Sequence, residues 1–304
     1  MTGQNHQAHV HADPNYGRAF AIGVALNLAY VVGGAVAGIV SGSLALLADA
    51  GHNLGDVLGL SLAWGAALLS RRQPSGRFTY GLRSSSILAA LANAIILLVV
   101  TGGIAWEAIG RIAHPVPVAS LIVIGVAAAG ILVNGVTALL FASRHPRDLN
   151  VKSIFVHMAA DTLVTGGVVI AGIAIWLTGQ LWIDPAVSLI VSAVIVIGTW
   201  GVMKSAMGLA LNAVPEGVDI AAVRDHLLTV PGVSTLHDLH IWGMSTTETA
   251  LTCHLLMPGG HPGDAVLNTV AQQLDQRFGI HHVTLQNELA DSEEACALTP
   301  EHVV

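Results

Sequence analysis

SLALLADAGHNLGDVLGL, residues 43–60, is the stretch on which the reading of this chain turns. Asp49, His52 and Asp56 interrupt an apolar run long enough to lie in a membrane. On a helix, residues three, four and seven apart share a face, so these three groups project to one side while Leu, Ala and Val cover the rest. A charged side chain at bilayer depth costs about 2.5–3.5 kcal/mol on insertion scales, so such a face turns inward toward a partner of complementary chemistry. FVHMAADTLV, residues 155–164, supplies one: His157 and Asp161 repeat the His-x-x-x-Asp spacing inside another apolar run. If the two helices face each other, His52, Asp56, His157 and Asp161 form a four-ligand tetrahedral set suited to Zn²⁺. Either pair alone reads equally well as interhelical hydrogen bonding, but the recurrence of this spacing where insertion is costly favours metal ligation. Asp49 is open to three readings: a second-layer group orienting His52, a proton relay, or a helix-contact residue.

The composition fits a membrane setting. Hydrophobic residues make up 53% of the chain and charged ones 10%, and the mean hydropathy is +0.68, which points away from a soluble protein. A net charge of -7 with 12 Lys and Arg in 304 residues leaves no basic patch for phosphates, so no nucleic-acid partner is expected. Cys253 and Cys296 are too few for a disulfide framework and form no Cys-x-x-Cys motif. Histidine is the abundant ligand type, with 15 in the chain.

Residues 1–16 are polar, carry His6, His9 and His11, and are expected to form a flexible cytoplasmic tail, either collecting metal or bearing incidental histidines. Six apolar segments follow within 17–208, at about 17–39, 43–69, 84–109, 118–142, 150–178 and 183–208, each near the ~20 residues that span a bilayer. The first is long enough to stay as a span, so no cleavable signal peptide is expected. Arg71, Arg72, Arg77 and Arg83 lie between spans two and three, and Arg144, Arg147 and Lys152 between four and five, whereas the opposite loops offer only Arg111. The positive-inside rule therefore places both termini in the cytoplasm.

After Leu211 the pattern becomes that of a soluble domain, 209–290, followed by an acidic tail, 291–304, expected to be disordered. Helical periodicity in 213–233 and 264–279, with strand alternation in 234–244, 248–258 and 281–288, predicts an α/β sandwich of the ferredoxin type. A leading strand at 208–214 would complete its β-α-β-β-α-β order. The fold class expected is thus an all-α six-helix membrane domain followed by a ferredoxin-like cytoplasmic α/β domain. His237 and His240 fall on one predicted strand, His254 on the next, and His281, His282 and Glu288 on the last; ideal alternation sends His237 and His240 to opposite faces.

Six spans, LADAGHNLGD (47–56) with HMAAD (157–161), and LHDLHIW (236–242) with HVTLQNE (282–288) together resemble the cation diffusion facilitators, and within them the zinc-transporting branch. The resemblance covers nearly the whole chain. It implies that the two His-Asp pairs form the transport site. It also implies a homodimer held partly through the cytoplasmic domains, where metal on residues like His237, His240, His254, His281, His282 and Glu288 tightens the pair. The family often has an acidic residue after the TYGLR stretch (79–83), where this chain has Ser84, Ser85 and Ser86, so a charge interaction there is in question. The loop between spans four and five is short, SRHPRDLNVK (143–152), leaving the N-terminal histidines as the candidate metal-collecting tail.

The expected activity is export of zinc, and of related divalent metals, from the cytoplasm in exchange for H⁺ as counter-ion, across what is expected to be a bacterial inner membrane. An enzyme is not expected: His-Glu-x-x-His is absent, and four protein ligands would close the site. A membrane-bound metal sensor using the cytoplasmic histidines without transport is the alternative.

Overall fold

The computed structural model describes residues 14–70, 72–142 and 149–289, and at 14–23, 60, 63, 67, 137–142 and 149–158 the backbone alone. Arg71, the three tail histidines His6, His9 and His11, most of the loop 143–152 and the acidic tail therefore lie outside the described residues. Six long helices come first: α1 (Pro14–Ser41), α2 (Leu44–Ser70), α3 (Ser85–Ala113), α4 (Ser120–Ala142), α5 (Leu149–Thr178) and α6 (Ile183–Ala210). Among the described residues, five carry stretches long and apolar enough to cross a membrane, and Ser120–Val136 of α4 is a shorter apolar helix. The chain divides into two compact units, Met1–Leu58 with Ile96–Gly198 and Gly59–Ile95 with Thr199–Val304.

The described residues of the first unit form helices and the short connections between them. Its interior gathers Ala45, Leu46 and Ala48 of α2, Val123 and Ala127 of α4, Val168 of α5, and Val191 and Ile195 of α6. Small residues set how closely these helices approach: a Cβ on Gly38 would stand 2.8 Å from Leu47, and one on Gly172 2.8 Å from Ile124. Outward faces are apolar, with Val99, Ile170 and Ile197 about 70% or more exposed, while Asp49, Thr165, Asn134 and Ser188 are fully buried. Such an inside-out distribution suits a lipid surround, which accepts apolar side chains and rejects polar ones. Asp184, at the start of α6, accepts from the Ser43 hydroxyl and from the main-chain N–H of Leu44 at 2.8 Å, and so caps the first turn of α2.

In the second unit, α7 (Ile220–Leu228), β1 (Thr235–Gly243), β2 (Thr249–Leu256), α8 (Asp264–Phe278) and β3 (Ile280–Glu288) follow the end of α6. Asp219 caps α7 by accepting from Ala221 N and Ala222 N, and Gly279, in the left-handed region at φ 65°, ends α8. The sheet among the described residues is three-stranded in the order β1-β2-β3, antiparallel then parallel. Its inner face buries Leu236, Ile241, Leu251, Cys253 and Leu255 against Val223 and Leu227 of α7 and Val270 and Leu274 of α8.

The leading strand expected at 208–214 is not formed. Helix α6 continues to Ala210 and closes with Ala213 N donating to Gly208 O at 2.8 Å and Asn212 N to Leu209 O at 3.1 Å. Asn212 sits at φ 60°. This is a Schellman cap in which Asn takes the left-handed position more often filled by Gly. The α/β character of the domain stands, with an α-β-β-α-β order in place of one that begins on a strand.

Candidate functional site

Helices α2 and α5 carry the two pairs, and the described side chains converge. His52 Nε2 lies 2.9 Å from Asp161 Oδ1, and ligand atoms of His52, Asp56 and Asp161 all fall within 4.8 Å of one another. Ligands about 2.0–2.2 Å from a tetrahedral zinc lie roughly 3.4 Å apart, so small rotamer shifts would bring this trio onto one ion. Asp161 is 2% exposed, and two carboxylates beside one imidazole in such surroundings match a dehydrated divalent cation in charge. His157 precedes Asp161 by four residues on α5, which puts it on the same helical face; its side chain lies outside those described.

Asp49 is not among the converging ligand atoms. Its carboxyl accepts from the Tyr30 hydroxyl of α1, its other oxygen lies 2.7 Å from Thr165 Oγ1 of α5, and its main-chain carbonyl accepts from Asn53 Nδ2 at 2.8 Å. Neither Tyr30 nor Thr165 stood out in the sequence: a tyrosine and a threonine in apolar helices carry no spacing signal.

A second cluster forms on the outer face of the sheet. His254 Nδ1 is 2.8 Å from Glu288 Oε1, His237 Nε2 is 3.3 Å from Glu288 Oε2, and ligand atoms of all three lie within 4.8 Å. The pairing of His237 with His254 across β1 and β2 brings their rings to 5.1 Å. Asp238 extends the cluster, reaching His240 Nε2 at 2.7 Å and His254 Nε2 at 3.5 Å.

Two differences from strand alternation shape this cluster. The register of β1 shifts between His237 and His240, which pair with His254 and Thr252; three residues on β1 therefore span two on β2. Asp238 adopts φ 51° there, and this bulge returns His237 and His240 to one face. His281 and His282, by contrast, are not brought to the cluster. Parallel pairing sets His282 opposite Ala250 and Glu288 opposite Leu256, six residues or about 20 Å along the strand. His281 Nδ1 instead accepts from Thr249 N, and His282 packs edge-on against Tyr80 at 5.6 Å.

Cys253 lies in the same strand but faces the core, 1% exposed. Burial pushes its thiol up to about 12, so it stays protonated and is a poor metal ligand.

Comparison with known proteins places similarity along both units. Residues 20–209 match the model of the cation efflux transmembrane domain, and residues 215–290 that of the cation efflux protein cytoplasmic domain. The cation efflux system protein CzcD of Alcaligenes sp. (strain CT14) is 34% identical over 281 residues, covering 92% of this chain and 89% of its own. The zinc transporter ZitB of Escherichia coli (strain K12) is 36% identical over 286 residues, 92% of this chain and 90% of its own. A cadmium, cobalt and zinc/H(+)-K(+) antiporter of Bacillus velezensis is 30% identical over 293 residues, 95% and 92% of the two chains.

Proposed function

This chain belongs to the cation efflux family and is a transporter, not an enzyme, and from that premise we propose that it exports zinc from the cytoplasm in exchange for protons. The observation that carries the proposal is the convergence of His52, Asp56 and Asp161 from two apolar helices. His157, on the same face of α5 as Asp161, completes the set.

In this reading 17–208 is the transport domain and 209–290 the cytoplasmic one, both termini face the cytoplasm, and the membrane is a bacterial inner membrane. Zinc enters from the cytoplasmic side and exchanges its water for the four side chains, two carboxylates balancing its two charges. An imidazole binds metal only when neutral, and an unperturbed one titrates near pH 6.5, so protons from outside compete for His52 and His157 once the site opens outward. That competition releases the ion, and rocking of helices between two arrangements alternates the access. Names of the relatives support zinc as cargo, and one of them names both H⁺ and K⁺ as counter-ions.

The cytoplasmic residues His237, His254 and Glu288 hold a further zinc, with Asp238 and His240 alongside, and this ion tightens a homodimer. Imidazole nitrogen and carboxylate oxygen suit zinc as a donor set.

Zinc uptake into proteoliposomes under imposed pH or potassium gradients tests the reading. Uptake driven by the pH gradient and lost in Asp56→Ala and His157→Ala is the expected result. A potassium gradient driving uptake as well as the pH gradient would replace the proton as sole counter-ion. Zinc bound by the intact folded chain with no uptake under either gradient would make it a sensor.

A further inference from the structure

Asp49 is fully buried, yet it stands apart from the converging ligand atoms. Both of its carboxyl oxygens are engaged, one by the Tyr30 hydroxyl and one by Thr165. Thr165 Oγ1 also lies 3.0 Å from the main-chain carbonyl oxygen of Asp161. A line of close polar contacts therefore runs from Tyr30 on α1, through Asp49 on α2 and Thr165 on α5, to the backbone of the turn that carries Asp161.

The far end of the line is fixed as well. Tyr30 is 7% exposed and its ring lies against Gly130 of α4, where a Cβ would stand 2.3 Å from the ring carbon that bears the hydroxyl. No side chain larger than hydrogen fits at 130, so α4 determines where the Tyr30 hydroxyl stands. Asn53, bonded to the Asp49 carbonyl, braces the turn of α2 that holds His52. Three helices thus meet at one carboxyl, with α4 fixing the Tyr30 ring beside it, and that carboxyl is not one of the three converging ligand groups.

We infer that Tyr30, Asp49 and Thr165 are positioning residues of the transport site, holding the Asp161 turn of α5 at a set distance from the His52 turn of α2, and that Asp49 does not ligate the ion. The inference rests on His52, Asp56 and Asp161 being the transport site. Hydrogen counting makes it testable. The Thr165 hydroxyl has one hydrogen and two acceptors within reach, Asp49 and the Asp161 carbonyl. An amide at 49 would still accept from Tyr30 and would donate to Thr165, freeing the hydroxyl hydrogen for Asp161. Asp49→Asn therefore keeps every contact of the line, whereas a metal ligand or proton carrier at this position needs the carboxylate.

Zinc KM and turnover of the full chain in proteoliposomes separate these roles. Asp49→Asn and Thr165→Ser should stay within about threefold of the parent in both constants. Asp49→Ala and Thr165→Val should raise KM by about 10–100-fold, the usual loss when a group orienting a metal ligand is removed, with a smaller change in turnover. Abolished uptake in a folded Asp49→Asn, matching Asp56→Ala, would overturn the inference and make Asp49 a ligand or carrier. An unchanged KM in Thr165→Val would also overturn it, and this variant gives the answer even where Asp49→Ala does not fold. Persistence of uptake in Asp56→Ala refutes the parent reading of the site instead, whatever the Asp49 variants do.

Discussion

A single backbone torsion decides which histidines meet on the cytoplasmic sheet. Asp238 holds a left-handed conformation, which costs an ordinary L-residue roughly 1–2 kcal/mol but is tolerated by Asp, Asn and Gly. Asp238→Val should therefore lower the unfolding free energy of the domain by about that amount, because the branched side chain penalises the bulge. Asp238→Asn should leave stability within about 0.5 kcal/mol while loosening His240. Denaturant unfolding compared between the two variants checks this, and equal stability would mean that the bulge survives without a left-handed residue. Two residues away from α7's end, His226 offers a pH test. Burial and the adjacent Arg277 cation hold its imidazole below the ordinary histidine range, outweighing a hydrogen bond that the protonated ring donates to Gln273. The unfolded chain then binds this proton more readily than the folded one, so His226 leaves stability untouched above about pH 6.5 and subtracts from it as pH falls below. In the presence of a chelator, His226→Gln should reduce the drop in Tm between about pH 7 and pH 5; an identical drop in both proteins would refute the assignment.

At the level of elements, the long helices were legible because their apolar runs approach the length that spans a bilayer, and the meeting of His52, Asp56 and Asp161 was legible because polar groups are costly there. The segment 208–214 was misread for a physical reason: LALNAV has the apolar content of a short strand, and nothing in it announces that Asn212 will cap a helix. The bulge at Asp238 was invisible for the same kind of reason, since alternation assumes a regular ladder. The serines after TYGLR make contacts that the sequence did not announce. Ser84 Oγ donates to Met244 O at 3.2 Å, Ser86 Oγ accepts from Thr246 N at 3.1 Å, and Arg83 pairs with Glu248 at 2.6 Å. The loop before α3 thereby receives the turn between β1 and β2. Arg83 and Glu248 are partly exposed, 42% and 35%, so the pair is worth about 0.2–1 kcal/mol at most. Arg83→Glu and Glu248→Arg should each speed proteolysis within residues 244–249, and the double reversal should slow it again. Failure of the double reversal to restore protection would show that the serine contacts alone hold the turn.

The chain carries apolar helices and, after them, a sheet with a group of residues able to hold a metal ion, and the two proposed sites need not respond to zinc in the same way. In the proposed reading the membrane site releases its ion on every cycle, so its affinity is bounded by turnover. The cytoplasmic cluster has no such constraint, and His254 and Glu288 already lie at 2.8 Å, so an ion there replaces contacts that exist rather than ordering new ones. If that ion tightens a homodimer, linkage requires the converse: dimerisation raises zinc affinity by the same factor by which zinc strengthens the dimer. Sedimentation of the full chain in detergent should therefore show a dimer whose dissociation constant falls on adding zinc. Glu288→Gln should abolish that fall, while Asp161→Ala, which disables only the membrane site, should leave it in place. Dimerisation that responds to zinc equally in the parent and in Glu288→Gln would detach the cytoplasmic cluster from assembly, and a response lost in Asp161→Ala would assign it to the membrane site.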